Sequence, residues 1–157
     1  MNIRGVVIDL AKGDYLGFYW KMFEWRRRIT FRPLQDVVSF FLHRSARRHG
    51  GYIGRDAVFD SVPVLPHGLQ GIYISRYAHI GAGCCIYQNV TIGEVNRAAP
   101  RIGNRCLIGA GAVVAGGIRI GDDVRIGAGA VVASDIPDHA TVVAQPSRII
   151  IRGGGHG

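Results

Sequence analysis

The sequence predicts an all-β fold, a parallel β-helix of six-residue repeats behind a short N-terminal helical arm. From residue 102 onward an isoleucine or valine recurs every six residues and is followed by Gly or Ala. The series comprises Ile102, Ile108, Val114, Ile120, Ile126 and Val132, and the same phase runs earlier through Ile74, Ile80, Ile86 and Ile92. A period of six fits neither a helix nor simple alternation, but it fits short strands stacked as a solenoid.

Three six-residue faces make one coil, so about five coils fit in residues 53–149. Two irregular stretches interrupt the count, one at 66–71 and the other at 93–101. Glycine is abundant, at 23 of 157 residues, and we expect the glycine after each isoleucine to lie where the chain turns.

The first fifty residues differ from the repeats. Aromatic residues interleave there with Lys and Arg, and Pro33 precedes a helical stretch over 34–42. The predicted organisation is a basic aromatic arm over 1–50, a repeat domain over 51–150 and a flexible tail over 151–157. The arm could touch anionic lipid, or it could simply pack on the first coil or on a neighbour. Because no RNA-binding motif accompanies the basic residues, nucleic acid is not an expected partner.

Composition excludes several classes of protein. The chain is 48% apolar and 19% charged, which suits a packed core and not bulk disorder. No apolar run approaches the roughly 20 residues of a transmembrane helix, and the first nine residues break too soon for a signal peptide. We therefore expect a cytoplasmic protein. The three cysteines, Cys84, Cys85 and Cys106, lack CxxC spacing and are predicted to be small core residues.

The repeats resemble a known family. The run Ile-Gly-Ala-Gly-Ala-Val-Val, at 108–114 and again at 126–132, resembles the left-handed β-helix hexapeptide acyltransferases. More narrowly, the segments 65–74, 87–93 and 144–150 resemble serine acetyltransferases, above all the shorter relatives associated with surface-polysaccharide synthesis. The resemblance implies the left hand of the helix, a closed homotrimer, and O-acetyl transfer from acetyl-CoA as co-substrate.

Such a reaction needs a base for the acceptor hydroxyl and a donor for the oxyanion. His67 matches the family's catalytic histidine, although a structural polar turn is the alternative. His79 and His139 are expected to be solvent-facing, and Asp56 and Asp60 to be ordinary loop charges. Since His67 and His79 have no third histidine nearby, we expect no metal.

Donor binding is expected where side chains are small enough for the pantetheine arm to reach the backbone. The residues predicted to bind acetyl-CoA are Gly93, Ala110, Ala128 and Arg148, the last through a CoA phosphate. Their small size could instead serve only the coil corners. Those predicted to bind the acceptor are Gln70, Gln88 and Asn89.

Two departures from the family concern the acceptor. The aspartate that precedes the catalytic histidine is Pro66 here, and the family's second active-site histidine is Ala99. Both losses favour a sugar or surface-polysaccharide precursor as acceptor. Arg97 and Arg101 could still hold a carboxylate, which keeps L-serine as the alternative. A third interpretation is a β-helix scaffold without catalysis, whose arm binds a membrane or partner.

Overall fold

The computed structural model describes residues 16–146, which form two helices and then a solenoid. Helix α1 spans Gly17–Arg28 and α2 spans Arg32–Arg48. Pro33 lies in the first turn of α2, where its missing N–H costs no helical hydrogen bond. The helix continues past the predicted residue 42 because Leu42 and Ala46 extend its buried face by one turn.

Thirteen short strands follow the helices, each of two or three residues. They are β1 Tyr52–Ile53, β2 Val58–Phe59, β3 Tyr73–Ile74, β4 His79–Ile80, β5 Cys85–Ile86, β6 Thr91–Gly93, β7 Arg101–Ile102, β8 Leu107–Ile108, β9 Val113–Ala115, β10 Arg119–Ile120, β11 Arg125–Ile126, β12 Val131–Val132 and β13 Thr141–Val142. All their pairings with one another are parallel, which confirms the predicted parallel β-helix.

The strands form three sheets, the faces of the solenoid. The first sheet has the order β1-β3-β6-β9-β12, the second β10-β7-β4-β2 and the third β13-β11-β8-β5. The chain passes from the first sheet to the second, then to the third, and back. Pairing keeps the repeat in register, so that Ile74 lies over Ile92 and Val114 over Val132. These aliphatic residues point inward and are almost fully buried.

The number of coils is close to the expected five. The first sheet has five strands, and the other two have four each. Isolated bridges add one position to each of these two, from Ile136 to Ile120 on the second sheet and from Val64 to Cys85 on the third. The chain therefore makes about four full turns between β1 and β12 and continues through Ile136 to β13, which gives five levels on each face.

The glycines after the inward isoleucines serve a different purpose from the one predicted. At Gly109 a Cβ atom would lie 2.6 Å from the Ala128 nitrogen of the next coil, and at Gly81 it would lie 2.5 Å from the Gly103 oxygen. Neither position has a positive φ. Glycine is needed there because successive coils approach too closely for a side chain, and not because the backbone turns.

The helical arm and the solenoid share one hydrophobic core. Trp20 and Phe23 of α1 pack edge-on against Phe59, with ring centroids 5.2 and 5.7 Å away. Cys84 and Cys106 are buried in successive coils, as predicted, whereas Cys85 is half-buried on the third sheet. Within residues 16–146, no helix is long and apolar enough to cross a membrane.

Candidate functional site

Most of the predicted site residues lie along one edge of the solenoid, where the chain passes from the third sheet back to the first. We call this the open edge; it comprises residues 65–72, 87–90, 109–112 and 127–130. Because Ile86, Ile108 and Ile126 are in register, the residues two places later form a column. That column contains Gln88, Ala110 and Ala128.

Backbone hydrogen bonds fix the column from coil to coil. The Gly111 N–H donates to the Gln88 carbonyl (3.0 Å), and the Gly129 N–H donates to the Ala110 carbonyl (2.9 Å). One coil earlier the Asn89 N–H donates to the Gln70 carbonyl (2.9 Å), which adds Gln70 to the same column. The structure thus brings predicted acceptor residues and predicted donor residues onto one continuous edge.

The two later coils present a strip of small, half-buried or exposed residues on this edge, at 110–111 and 127–129, and we call this strip the groove. Gly111 and Gly129 have φ angles of +70° and +69°, a conformation that side chains rarely adopt. A Cβ atom at either position would meet nothing within 4 Å among the described residues. A thin chain such as a pantetheine arm could lie against the backbone here, so these residues fit the donor that the resemblance implies.

His67 is exposed at the other end of the open edge, on the loop over 65–71. The loop turns tightly, since the Gly68 N–H donates to the Leu65 carbonyl (3.1 Å), and fully buried Leu69 anchors it. The His67 ring lies 6.1 Å from the Tyr87 ring, centroid to centroid. Tyr87 was not among the predicted site residues; its place beside Gln88, within the quoted motif, was the available signal.

No carboxylate orients His67 among residues 16–146. Asp60 Oδ1 lies 2.9 Å from His79 Nε2 on the second sheet. Asp56 accepts a hydrogen bond from Arg76 and forms an ion pair with Arg26 (3.4 Å). The two aspartates are therefore engaged elsewhere, and His79, expected to face solvent alone, has an acidic partner.

The remaining predicted residues are distributed as follows. Gln88 is half-buried, and its Oε1 atom has no hydrogen-bond partner among the described residues, whereas Asn89 is exposed. Gly93 lies away from the open edge, at the end of β6, where it pairs with Ala115. Arg148 lies outside the described residues.

A second feature is a cleft of about 350 Å³ on the second sheet and its border with the first, which we call the arginine cleft. Arg97, Arg101 and Arg119 line it together with Tyr77, Ala99 and one carboxylate, that of Asp135, so that three positive charges face one negative charge. Arg101 and Arg119 are neighbouring rungs of β7 and β10, and neither forms an ion pair with any residue in 16–146. Adjacent like charges repel, so this cleft favours an anion.

Metal-binding side chains are not grouped in the part of the chain that the structure describes. No cluster there contains three or more His, Cys, Asp or Glu side chains placed to hold an ion. His79 faces Asp60 only, and His139 lies 3.7 Å from Asp123.

The repeats are similar to those of a known protein family. Residues 99–134 match the family described as bacterial transferase hexapeptide (six repeats). This match and the stacked coils make the chain similar to the hexapeptide-repeat transferases. The relatives it resembles include serine acetyltransferases. The protein from Bacillus pumilus is 35% identical over 140 residues, which are 83% of this chain and 59% of that protein.

Solved structures give the same answer. The soybean serine acetyltransferase apoenzyme has a TM-score of 0.72 and 30% sequence identity, covering 87% of this chain and 58% of the soybean chain. The Neisseria gonorrhoeae serine acetyltransferase, solved in complex with serine, has a TM-score of 0.71 and 30% identity, covering 83% of this chain and 55% of that one. The chain spans less than two thirds of the length of these relatives. None of them supports the expected sugar acceptor.

Proposed function

We propose that this protein transfers an acetyl group from acetyl-CoA to the hydroxyl of L-serine, with His67 as the general base. The observation that carries this proposal is the arrangement of the open edge. An exposed imidazole lies beside Tyr87 at one end of the edge. The other end is an exposed strip of small residues, where Gly111 and Gly129 leave the backbone uncovered. One edge of the solenoid therefore contains both a base for the acceptor and a surface on which the thioester donor can bind.

The chemistry follows from these residues. His67 takes the proton from the serine hydroxyl as its oxygen attacks the carbonyl carbon of the thioester. The new C–O bond forms, the C–S bond breaks, and the CoA thiolate leaves with the proton that His67 held. Imidazole suits both transfers near pH 7, because the neutral ring accepts the first proton and the imidazolium so formed gives it to the leaving thiolate. Tyr87 lies beside the His67 ring, at 6.1 Å from centroid to centroid, and its own position places it next to Gln88 of the column.

Donor binding is assigned to the later coils. The pantetheine arm would lie along Ala110 and Ala128, where Gly111 and Gly129 leave space above the backbone. Gln88 stands between the two ends of the column, and its unpartnered Oε1 atom is available to an acceptor group. Arg148 as a phosphate contact remains a prediction, as does the cytoplasmic location.

We prefer L-serine to a sugar as acceptor for two reasons. The proteins similar to this chain are serine acetyltransferases, and the charge of the arginine cleft suits a carboxylate. Serine carries a carboxylate, and the arginine cleft gathers three guanidinium groups against the single carboxylate of Asp135. That carboxylate accepts a hydrogen bond from the Arg119 backbone N–H (2.8 Å). Pro66 and Ala99 still deprive the site of two polar groups that the resemblance leads one to expect. Arg97 and Arg101 can compensate for part of that loss by holding the carboxylate.

The open edge and the arginine cleft lie on different sides of one chain. His67 is on the border between the third and first sheets, whereas Arg97 belongs to the excursion between the first and second. Only another copy can bring the two together, so we propose that the cleft of one protomer faces the open edge of the next in a homotrimer. Light scattering should give the trimer mass; a monomer at assay concentration would contradict this arrangement.

The deciding experiment compares acceptors. Release of free thiol from acetyl-CoA is measured with L-serine, a hexose and an amino sugar at equal concentrations. We expect serine to give a kcat/KM of about 10⁴ M⁻¹s⁻¹ or more and the sugars to give far less. Turnover with the sugars alone would restore the sugar interpretation. Turnover with none, despite acetyl-CoA binding, would favour a scaffold.

A matched pair of variants tests the carboxylate contact. Arg101→Gln should raise the KM for serine at least tenfold, because a charged hydrogen bond contributes about 1.5–3 kcal/mol, and it should leave acetyl-CoA affinity unchanged. Arg125→Gln removes an equally exposed arginine from the third sheet and should change neither value. Equal effects from the two variants would place the carboxylate elsewhere.

A further inference from the structure

We propose that the helical arm is a membrane-binding surface whose partner is an anionic lipid bilayer. The outer face of the arm, as used below, is the exposed side of α1, α2 and the turn between them. This inference concerns where the protein works and does not depend on which acceptor it uses.

Large apolar side chains cover the outer face. Phe18 is 73% exposed, Phe31 65% and Phe40 63%, although most aromatic side chains of this size are buried in folded proteins. The exposed large apolar residues on the described part of the arm are Phe18, Trp25, Phe31, Leu34, Val37, Phe40 and Phe41. So many exposed apolar side chains on one pair of helices mark a contact with a partner or a membrane.

Helix α2 has two apolar stripes. Val38, Leu42 and Ala46 are buried against the rest of the protein. Leu34, Val37 and Phe41 follow the three- and four-residue spacing of a second stripe, which points to solvent. The core already occupies the first stripe, so the second is free to enter the interface of a bilayer.

Basic residues surround this apolar surface. Exposed lysine or arginine occurs at Lys21, Arg27, Arg28, Arg32, Arg44, Arg47 and Arg48. A groove of about 540 Å³ runs between Phe40, His43 and the last three arginines of α2. Aromatic residues flanked by arginines are the composition of helices that lie in the headgroup region, where each basic residue adds attraction to anionic lipid.

The outer face is held in place by the opposite side of the arm. Buried Arg26 donates from Nε to Ser39 Oγ of α2 and from Nη1 to the Arg55 carbonyl of the first coil, both at 2.5 Å. Together with the packing of Trp20 and Phe23 on Phe59, these bonds join α1, α2 and the solenoid. The arm therefore presents its apolar and basic residues as one ordered surface.

Charge favours lipid over a second copy of the chain. Packing two outer faces together would bring the arginines of α2 against those of the other copy, with only Glu24 and Asp36 as acidic residues on the described part of the arm. Asp56 and Asp123 of the solenoid already pair with Arg76 and Arg105. An anionic bilayer supplies both the apolar interior and the missing negative charge.

The test is co-sedimentation of the full chain with vesicles. Vesicles of phosphatidylcholine with one quarter phosphatidylglycerol should bind the protein, and vesicles of phosphatidylcholine alone should bind it weakly. Arg44→Glu should lower the partition coefficient about 30-fold, since it removes one attraction and adds one repulsion. Phe40→Ser with Phe41→Ser should lower it at least as much. Thiol release from acetyl-CoA should stay unchanged in both variants.

Control variants make the same changes away from the arm. Arg125→Glu alters the net charge equally on the third sheet, and Val131→Ser with Val143→Ser removes exposed apolar groups from the solenoid. Both should bind vesicles like the parent protein. Equal loss in control and test variants, or no difference between the two vesicle compositions, would overturn the proposal. A lower assembly mass in the Phe40 and Phe41 variant, without vesicle binding by the parent, would show that another copy covers this face.

Discussion

The open edge and the edge between the second and third sheets are built from the same six-residue repeat, but they differ in their side chains. We call the latter the closed edge; it comprises residues 82–84, 104–106, 122–124 and 138–140. Both edges follow an inward isoleucine, and both contain residues with positive φ, such as Gly111 on the open edge and Arg105 on the closed one. Their backbones are therefore alike, and the side chains make the difference.

Side chains link successive coils on the closed edge. The Ala82 N–H donates to Asn104 Oδ1 (2.9 Å), and the Asn104 N–H donates to Asp122 Oδ1 (2.7 Å). The Asp122 N–H in turn donates to Asp138 Oδ1 (2.8 Å). Arg105 Nε and Nη2 then donate to the two oxygens of Asp123, at 2.8 and 2.6 Å. Nothing of this kind is found along Ala110 and Ala128, where the groove remains.

The comparison shows how a repetitive scaffold acquires a site. The inward isoleucines determine the coil, and because they precede both edges they do not decide which edge can bind a ligand. A groove is left where small residues replace those that would otherwise bond to the next coil, and it becomes a candidate site where an irregular coil adds a base such as His67. The four predictions below test this division of roles, beginning with the core on which both edges depend.

Ile120→Asp should unfold the solenoid and so destroy both edges. Ile120 is 1% exposed, and a carboxylate there would lie unpaired among aliphatic side chains. The cost is several kcal/mol, comparable with the total stability of about 5–15 kcal/mol of a domain. Thermal melting followed by circular dichroism measures it. Val131→Asp, 74% exposed on β12, should melt like the parent; a stable Ile120 variant would show the register to be wrong.

Ala110→Trp should abolish acetyl-CoA binding and leave the fold intact. An indole at this position fills the groove on the open edge, whereas Ala82→Trp places the same ring two residues after Ile80 on the closed edge. Isothermal titration with acetyl-CoA should detect no binding for the first variant and normal affinity for the second. Equal affinity in both would move the donor away from the open edge.

His67→Ala should lower kcat by about 10²–10⁴-fold, the usual contribution of a general base. The affinity for acetyl-CoA should stay unchanged, because the groove lies in later coils. His79→Ala is the matched control, since His79 is paired with Asp60 away from the open edge. If the His79 variant lost activity and the His67 variant kept it, the base would be on the second sheet.

Asp122→Asn should have the smallest effect, a slightly lower melting temperature that depends on pH. The backbone and side-chain N–H groups of Asn104 hold the pKa of Asp122 below its usual value. A carboxyl group with a lowered pKa in the folded state stabilises the fold above the unfolded pKa of about 3.9, and this contribution is lost as pH falls through the folded pKa. The melting temperature should fall by no more than about 4 °C at neutral pH.

The control for that substitution is to measure the melting temperature of both proteins as the pH is lowered. The difference between the parent and the Asp122 variant should shrink as the pH falls below about 4, because the parent carboxyl group is then protonated as well. A difference that stays constant from pH 7 to pH 3 would mean that the carboxylate charge has no part in stabilising the closed edge.

The fold was predictable because its signal is repetitive. Each hexad from Ile102 to Val132 repeats the same inward aliphatic residue, and parallel pairing keeps these residues in register. Of the candidate site, the sequence predicted His67, Gln70, Ala110 and Ala128. It could not show that Tyr87 lies against His67, because that contact joins an irregular coil to the next one across 20 positions of sequence.

The sequence by itself determined the repeat, the short strands, the buried aliphatic core and the position of the irregular coils. These features are local or periodic, so they follow from residue type and spacing. Only the tertiary structure decided that Asp60 pairs with His79 and not with His67, that Arg119 joins Arg97 and Arg101, and that α2 has a second apolar stripe open to solvent. Each depends on which residues the stacking of coils and the docking of the arm bring together, and spacing along the chain does not record such distances.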